Sequence, residues 1–189
     1  CIDWSKIQQK PNAATRNASA TVLGYFAENV GNMVVSSADL SNSDKTDGFL
    51  KKSKALAKGD FSGAFLQAGV SELTMVCVCM GMALHGGIIP ACGTFFVFSD
   101  YMKPAVRMAA LMEIPIKFIW SHDAFRVGED GPTHEPVEQE AQIRLMEKLH
   151  NHSGKPSMLV LRPADANETT WAWRLAMENT DTPTALILS

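Results

Sequence analysis

Residues 128–136 read Gly-Glu-Asp-Gly-Pro-Thr-His-Glu-Pro, which puts carboxylates, a histidine, two prolines and two glycines into nine positions. Glycine and proline punctuate such a stretch as an ordered loop and rule out a helix or a long strand. An ordered loop crowded with ionisable groups suits a binding or proton-transfer site better than a core. Asp130 and His134 are its acid–base candidates, and the pair His122-Asp123 stands just ahead of it. Three other groups have side chains fit for chemistry: Glu72 at the head of an apolar segment, the aromatics Phe95, Phe98 and Tyr101 after Gly93, and Arg162 with Asp165. Each also has a purely structural reading. Glu72 suits a first-turn acid complementing a helix dipole. The aromatics suit a core or an interface, the histidines a capping or bridging role, and Arg162 with Asp165 an ion pair ahead of a helix. The chain has no Gly-x-Ser-x-Gly elbow, no phosphate-cradling P-loop and no His-Glu-x-x-His pattern.

The elements that must position these groups follow from hydrophobic periodicity. Residues 13–30 read as a helix with Val22, Leu23, Phe26 and Val30 on one face and Gly31 as its stop. Met33-Val34-Val35 is a strand, residues 36–59 are a long polar connection, and residues 65–68 are a second strand. Ser71 is placed to cap a helix running to about Leu84, apolar nearly all round and therefore expected to be buried. Gly86-Gly87 ends that helix. Residues 94–98 form an aromatic strand or strand-like turn, 99–113 a helix and 116–120 a strand. After the Gly/Pro loop, Pro136 opens a helix through His150, followed by a strand at 158–161, a helix at 167–179 and a last strand at 185–188. Short apolar strands alternating with helices predict an α/β three-layer sandwich with a mostly parallel sheet. In such a fold, sites form in the loops after the C-terminal ends of strands. Glu72, the Phe95–Tyr101 aromatics, the His122–His134 segment and Arg162 all fall there, so the pattern brings them to one edge.

At 189 residues the chain is expected to form one domain, spanning 1–189. A net charge of −3 with scattered cations gives no global case for nucleic acid, and the Lys51, Lys52, Lys54 cluster reads as a solvated face. The four cysteines, Cys1, Cys77, Cys79 and Cys92, lack metal-ligand or Cys-x-x-Cys spacing and read as reduced, mostly buried thiols of a cytoplasmic protein. No apolar run reaches the about 18 residues that a membrane helix needs, and the polar N-terminus does not read as a signal peptide. A start at Cys1 and an end just past an apolar run suggest a piece of a longer polypeptide.

Nearly the whole chain resembles the middle, pyrimidine-binding domain of transketolases, enzymes that use thiamine diphosphate. The resemblance is carried by Ala14-Thr15-Arg16, Ser37-Ala38-Asp39-Leu40-Ser41, Gly69-Val70-Ser71-Glu72 and Ala83-Leu84-His85-Gly86-Gly87. It continues through residues 93–102 (Gly-Thr-Phe-Phe-Val-Phe-Ser-Asp-Tyr-Met), Ser121-His122-Asp123, the 128–136 loop, and residues 161–169, Leu-Arg-Pro-Ala-Asp-Ala-Asn-Glu-Thr. It implies two-carbon ketol transfer between ketose and aldose phosphates. Glu72 would hydrogen-bond the pyrimidine N1′, with Phe95, Phe98 and Tyr101 as an aromatic pocket and Asp39 near the cofactor. His134 and His122 would serve as proton donors facing the sugar, and Asp130 would bind a hydroxyl. Arg16, Ser43, His122 and Arg162 would clamp the sugar phosphate. A carboxyl entering an apolar helix and guanidinium forks for a phosphate dianion make physical sense of these roles.

The chain departs from the family pattern in places. Ser71 and Leu73 stand where an arginine and a histidine usually flank the glutamate, Cys92 where a tyrosine precedes the glycine, and residues 140–156 are longer and more charged than the usual turn. The family's Gly-Asp-Gly motif with its distant asparagine, which holds magnesium and the diphosphate, has no counterpart; Gly59-Asp60 continues as Phe61. The resemblance therefore implies half of an active site with no metal ligands of its own, inactive until a diphosphate-binding domain joins it, normally across a homodimer. The alternatives are a related thiamine enzyme, such as deoxyxylulose-phosphate synthase or a 2-oxoacid dehydrogenase beta subunit, and a non-catalytic dimerisation domain.

Overall fold

Six short, mostly apolar runs form the strands of one sheet in a computed structural model that describes residues 2–127 and 130–189. They are β1 Met33–Ser37, β2 Phe65–Gln67, β3 Ile89–Phe95, β4 Lys117–Ser121, β5 Leu159–Leu161 and β6 Thr184–Ile187. Their order is β2-β1-β3-β4-β6-β5, with every neighbouring pair parallel. Central strands of a parallel sheet are covered on both faces, and β4 is buried at each of its positions. The helices are α1 Thr15–Asn29, α2 Ser41–Asp44, α3 Asp47–Leu50, α4 Glu72–His85, α5 Ser99–Leu111, α6 Gln139–Lys148 and α7 Ala166–Glu178.

Alternation along the strands builds two cores. Phe118 and Trp120 of β4 face Met75, Val76 and Cys79 of α4, Met102 and Val106 of α5, and Ile143 of α6. Ile119 between them faces the other layer, Val22, Leu23 and Phe26 of α1 with Trp173 of α7. The Trp173 indole meets Phe26 edge-on at 5.5 Å and donates to Ser19 Oγ at 2.9 Å, so its one polar atom is satisfied in the core. The three-layer α/β expectation holds, with the sheet parallel throughout.

Several local expectations need correction. β3 starts at Ile89, five residues earlier than the aromatic run suggested, and residues 96–98 are a 3-10 turn. Pro90 and Gly93 hid this central strand, since both weaken a strand reading. Gly93 is there for space: a Cβ would come within 2.5 Å of Thr46 Cγ2 and 3.0 Å of Asp44 Oδ2. Pro136 does not open α6. The helix begins at Gln139, whose buried amide takes the Val137 N–H at 2.9 Å and donates to Asp100 Oδ2 at 2.9 Å. Ser71 does not cap α4 through its side chain; its hydroxyl donates to the Ala68 carbonyl at 2.7 Å. Nor is α4 buried all round. Leu73, Cys77, Val78 and Leu84 are exposed, because the helix lies in an outer layer with the sheet on one side only. The polar connection contains α2 and α3 and buries Phe49, Asp44 and Thr46.

Candidate functional site

Strand register puts the C-terminal ends of β2, β1, β3 and β4 side by side: Ser37 pairs with Gln67 and Gly93, and Phe95 with Ser121. Backbone hydrogen bonds then tie the loops that leave those ends. The Ala68 N–H donates to the Ser37 carbonyl at 3.1 Å, and the Ala38 N–H to the Gly93 carbonyl at 3.2 Å. The loop leading to Glu72, the loop carrying Asp39 and the strand leading to Phe95 are thus fastened in one row. Asp39 is exposed with φ +64°, a left-handed conformation uncommon for a residue with a Cβ. Glu72 is 9% exposed at the first position of α4. Its carboxyl makes no hydrogen bond or ion pair with a described residue.

The aromatic candidates do converge. Phe95 and Phe98 stack with centroids 5.8 Å apart, and Tyr101 lies 6.0 Å from Phe98. The two histidines join them. His122 stacks on Phe95 at 3.8 Å, and His134 stands edge-on to Phe98 at 5.4 Å. Hydroxyls orient both imidazoles: Ser121 Oγ lies 2.8 Å from His122 Nδ1, and Thr133 Oγ1 lies 2.8 Å from His134 Nδ1. His122 and Ala124 both have positive φ, so the chain turns sharply as it leaves β4. Asp130 is exposed and directly follows Gly128 and Glu129, which lie outside the described residues.

Arg162 does not reach out freely. Its Nε donates to Asp123 Oδ2 at 3.0 Å and its Nη2 to the Asp123 carbonyl at 3.3 Å, while Nη1 lies 3.4 Å from Glu140. This pair braces the turn just after His122, because the Asp123 side chain is only 4% exposed. Arg16, at the start of α1, lines the same groove of about 1030 Å³ as Arg162 and Asp123. Ser43 and His122, the other two residues expected to clamp the phosphate, are not among its lining residues. Ser43, half-buried in α2, places its hydroxyl 3.4 Å from Asn42 Oδ1.

One group at this edge escaped sequence reasoning. Asp44 is fully buried and accepts three hydrogen bonds, from Ser37 Oγ at 2.7 Å, Thr46 N–H at 2.9 Å and Thr46 Oγ1 at 2.7 Å. None comes from a cation. Burial pushes its carboxyl up to about 6, and its hydrogen bonds only partly offset that. Ser37, which it orients, also accepts the Leu40 N–H at 3.2 Å, so Asp44 fixes the turn that presents Asp39. Within residues 36–59 only its neighbouring hydroxyl residues hinted at this.

The residues present fit the pyrimidine end of thiamine diphosphate. A carboxyl with no partner among the described residues, heading an apolar helix at the same sheet edge as an aromatic cluster, suits a flat ring with a basic nitrogen. They do not fit the diphosphate end. Asp60 is committed to Lys54 and Ser62 in an exposed turn, and the described residues contain no group of three or more His, Cys, Asp or Glu able to hold a metal ion.

Comparison with known proteins identifies the family. Residues 11–189 match the family described as "Transketolase, pyrimidine binding domain". The transketolase of Halalkalibacterium halodurans is 47% identical over 178 residues, 94% of this chain and 25% of the relative. Among solved structures, transketolase from Leishmania mexicana superposes with a TM-score of 0.89 at 36% identity, covering 98% of this chain and 27% of that one. A "split gene transketolase, inactive beta4 tetramer" superposes at 0.67 with 28% identity, covering 93% of this chain and 51% of that one. The chain thus spans about a quarter of the length of the curated relatives it matches. With that match and with Glu72, the aromatic row and the two histidines at one sheet edge, the chain belongs to the transketolase pyrimidine-binding domain family.

Proposed function

We propose that residues 1–189 form a single pyrimidine-binding domain that supplies half of a transketolase active site, as part of a longer polypeptide or as one subunit of a split enzyme. The observation that carries this reading is Glu72, nearly buried and without a partner among the described residues, at the same sheet edge as the Phe95–Phe98–His122–His134 cluster. Thiamine diphosphate, when bound, supplies the carbon nucleophile that ketol transfer needs. Glu72 holds a proton at the ring nitrogen facing it, which its position on an apolar helix favours. Phe95, Phe98 and Tyr101 wall the ring and exclude water, and Asp39 places a carboxylate beside it. His122 and His134 donate to substrate oxygens, and Asp130 accepts from a sugar hydroxyl. Arg16, with Ser43 and Arg162, receives the phosphate of the sugar.

Magnesium and the diphosphate then belong to a partner domain. The split-gene relative, a chain that this one covers by about half, is consistent with such a division of labour. The exposed apolar side of α4, with Leu73, Val78 and Leu84, is a natural seat for that partner or for a second copy in a homodimer. No helix of the described residues is long and apolar enough to cross a membrane, and a cytoplasmic, reducing location suits the free thiols Cys77, Cys79 and Cys92.

The test is to combine the chain with a transketolase diphosphate-binding domain and assay ketol transfer to ribose 5-phosphate, with pyruvate as the competing donor class. Turnover of sugar phosphates alone supports the reading; turnover of pyruvate alone supports a related thiamine enzyme. In the same assembled enzyme, Arg162→Ala is expected to weaken phosphorylated sugars relative to their neutral counterparts by about 1.5 kcal/mol or less, the low end for a lost hydrogen bond to a charged group, because Asp123 and Glu140 already hold most of its donors. Equal losses for both sugar types would remove Arg162 from the phosphate site.

A further inference from the structure

The groove that holds Arg16 and Arg162 contains a third guanidinium that the functional reading does not use. Arg126 follows the sharp turn at His122–Ala124 and lines the same groove of about 1030 Å³. Among the described residues, four cationic side chains, Lys10, Arg16, Arg126 and Arg162, line it with two acidic ones, Asp123 and Asp165, in a chain whose net charge is −3. The N-terminus of α1 enters at Thr15, with no acidic residue in its first turn, and adds to the positive potential.

The three guanidiniums differ in what they have left to give. Arg162 donates two hydrogen bonds to Asp123, its Nη2 also lies 2.9 Å from Asp123 Oδ2, and Nη1 is drawn towards Glu140. Two carboxylates beside it cancel most of its attraction for an anion. Arg16 and Arg126 have no carboxylate partner among the described residues. Arg126 is exposed and rests on the Phe125 ring, with its guanidinium carbon 5.5 Å from the ring centroid. That contact limits its wandering and leaves its N–H edge available.

We propose that Arg126 is a specificity-determining residue of the sugar-phosphate site: together with Arg16 it receives the phosphate dianion, while Arg162 mainly braces the Asp123 turn and contributes the donors it has left. This inference rests on the transketolase reading for the identity of the sugar, and on the groove itself for the anion. Arg126 would therefore set how strongly the enzyme prefers phosphorylated over neutral sugars.

The experiment is steady-state kinetics of the assembled enzyme with ribose 5-phosphate and with ribose as acceptors, for wild type, Arg126→Ala and Arg126→Lys. The ratio of kcat/KM for ribose 5-phosphate to that for ribose should fall about tenfold or more in Arg126→Ala, with partial recovery in Arg126→Lys, which restores the charge and not the fork. An unchanged ratio, or equal losses for both acceptors, overturns the proposal. Calorimetric titration of inorganic phosphate into the same proteins reads the groove without turnover. Weaker phosphate binding by Arg126→Ala supports the site even if no ketol transfer is found, in which case the transketolase reading fails separately. Equal phosphate binding by wild type and Arg126→Ala overturns the proposal whatever the activity.

Discussion

Glu72→Gln in the assembled enzyme is expected to lower ketol transfer on the order of 10²–10⁴-fold, the usual loss when a positioned proton-transfer group is removed. Glutamine keeps the shape of the side chain and cannot exchange a proton with a ring nitrogen. The fold should survive. Glu72 makes no hydrogen bond to a described residue that would be broken, and the apolar face below it, Met75, Val76 and Cys79, holds α4 to the sheet. Steady-state rates together with a thermal melt check this. A variant with rates within a few-fold of wild type would remove Glu72 from the chemistry. A variant that melts much earlier would show that the carboxyl serves the helix, in keeping with a first-turn acid.

Asp44 should give the largest effect on stability, and its sign depends on pH. Its carboxyl is raised from 3.8 to about 6 by burial, so the fold disfavours its charged form. A raised acid contributes stability that is fully present below its unfolded value and is lost as pH climbs through about 6. Wild type should therefore lose stability relative to Asp44→Asn between about pH 4 and pH 7. Above that window the variant should be the more stable by roughly 1–3 kcal/mol, since each tenfold difference in proton affinity between folded and unfolded chain is worth about 1.4 kcal/mol. Asparagine can still accept from Thr46 and donate to Ser37. Asp44→Leu cannot, and leaves the buried Ser37 and Thr46 donors unmatched at a cost of about 2–4 kcal/mol. Denaturant melts at several pH values measure both. Parallel pH curves for wild type and Asp44→Asn would mean that this carboxyl does not titrate in the window.

The sequence made the layout legible because strands and helices alternate with clear periods. Apolar positions in α1 recur at helical spacing, and the strands β1, β4 and β6 are short apolar runs buried in a parallel sheet. That alternation alone predicts that Glu72, Phe95, His122 and Arg162 share an edge, and they do. Other features were hidden where tertiary packing overrides local pattern. Pro90 and Gly93 mask a central strand, and Gly93 stands there because Asp44 and Thr46 press against it. Asp44 sat unseen in a polar stretch, since a buried carboxyl looks like a solvated one until its donors are placed. The outer side of α4 is as apolar as its inner side, so composition could not say which side the sheet covers. Arg126 carries no motif of its own. Only its place on the loop after β4, beside two other guanidiniums, sets it apart.

The central claim is that this chain binds the pyrimidine and needs a partner for the diphosphate. Its most direct test is calorimetric titration of thiamine diphosphate with magnesium into the folded chain, first alone and then with a diphosphate-binding domain added. The account predicts no detectable binding to the chain alone and stoichiometric binding once the partner is present. Stoichiometric binding to the chain alone would contradict it.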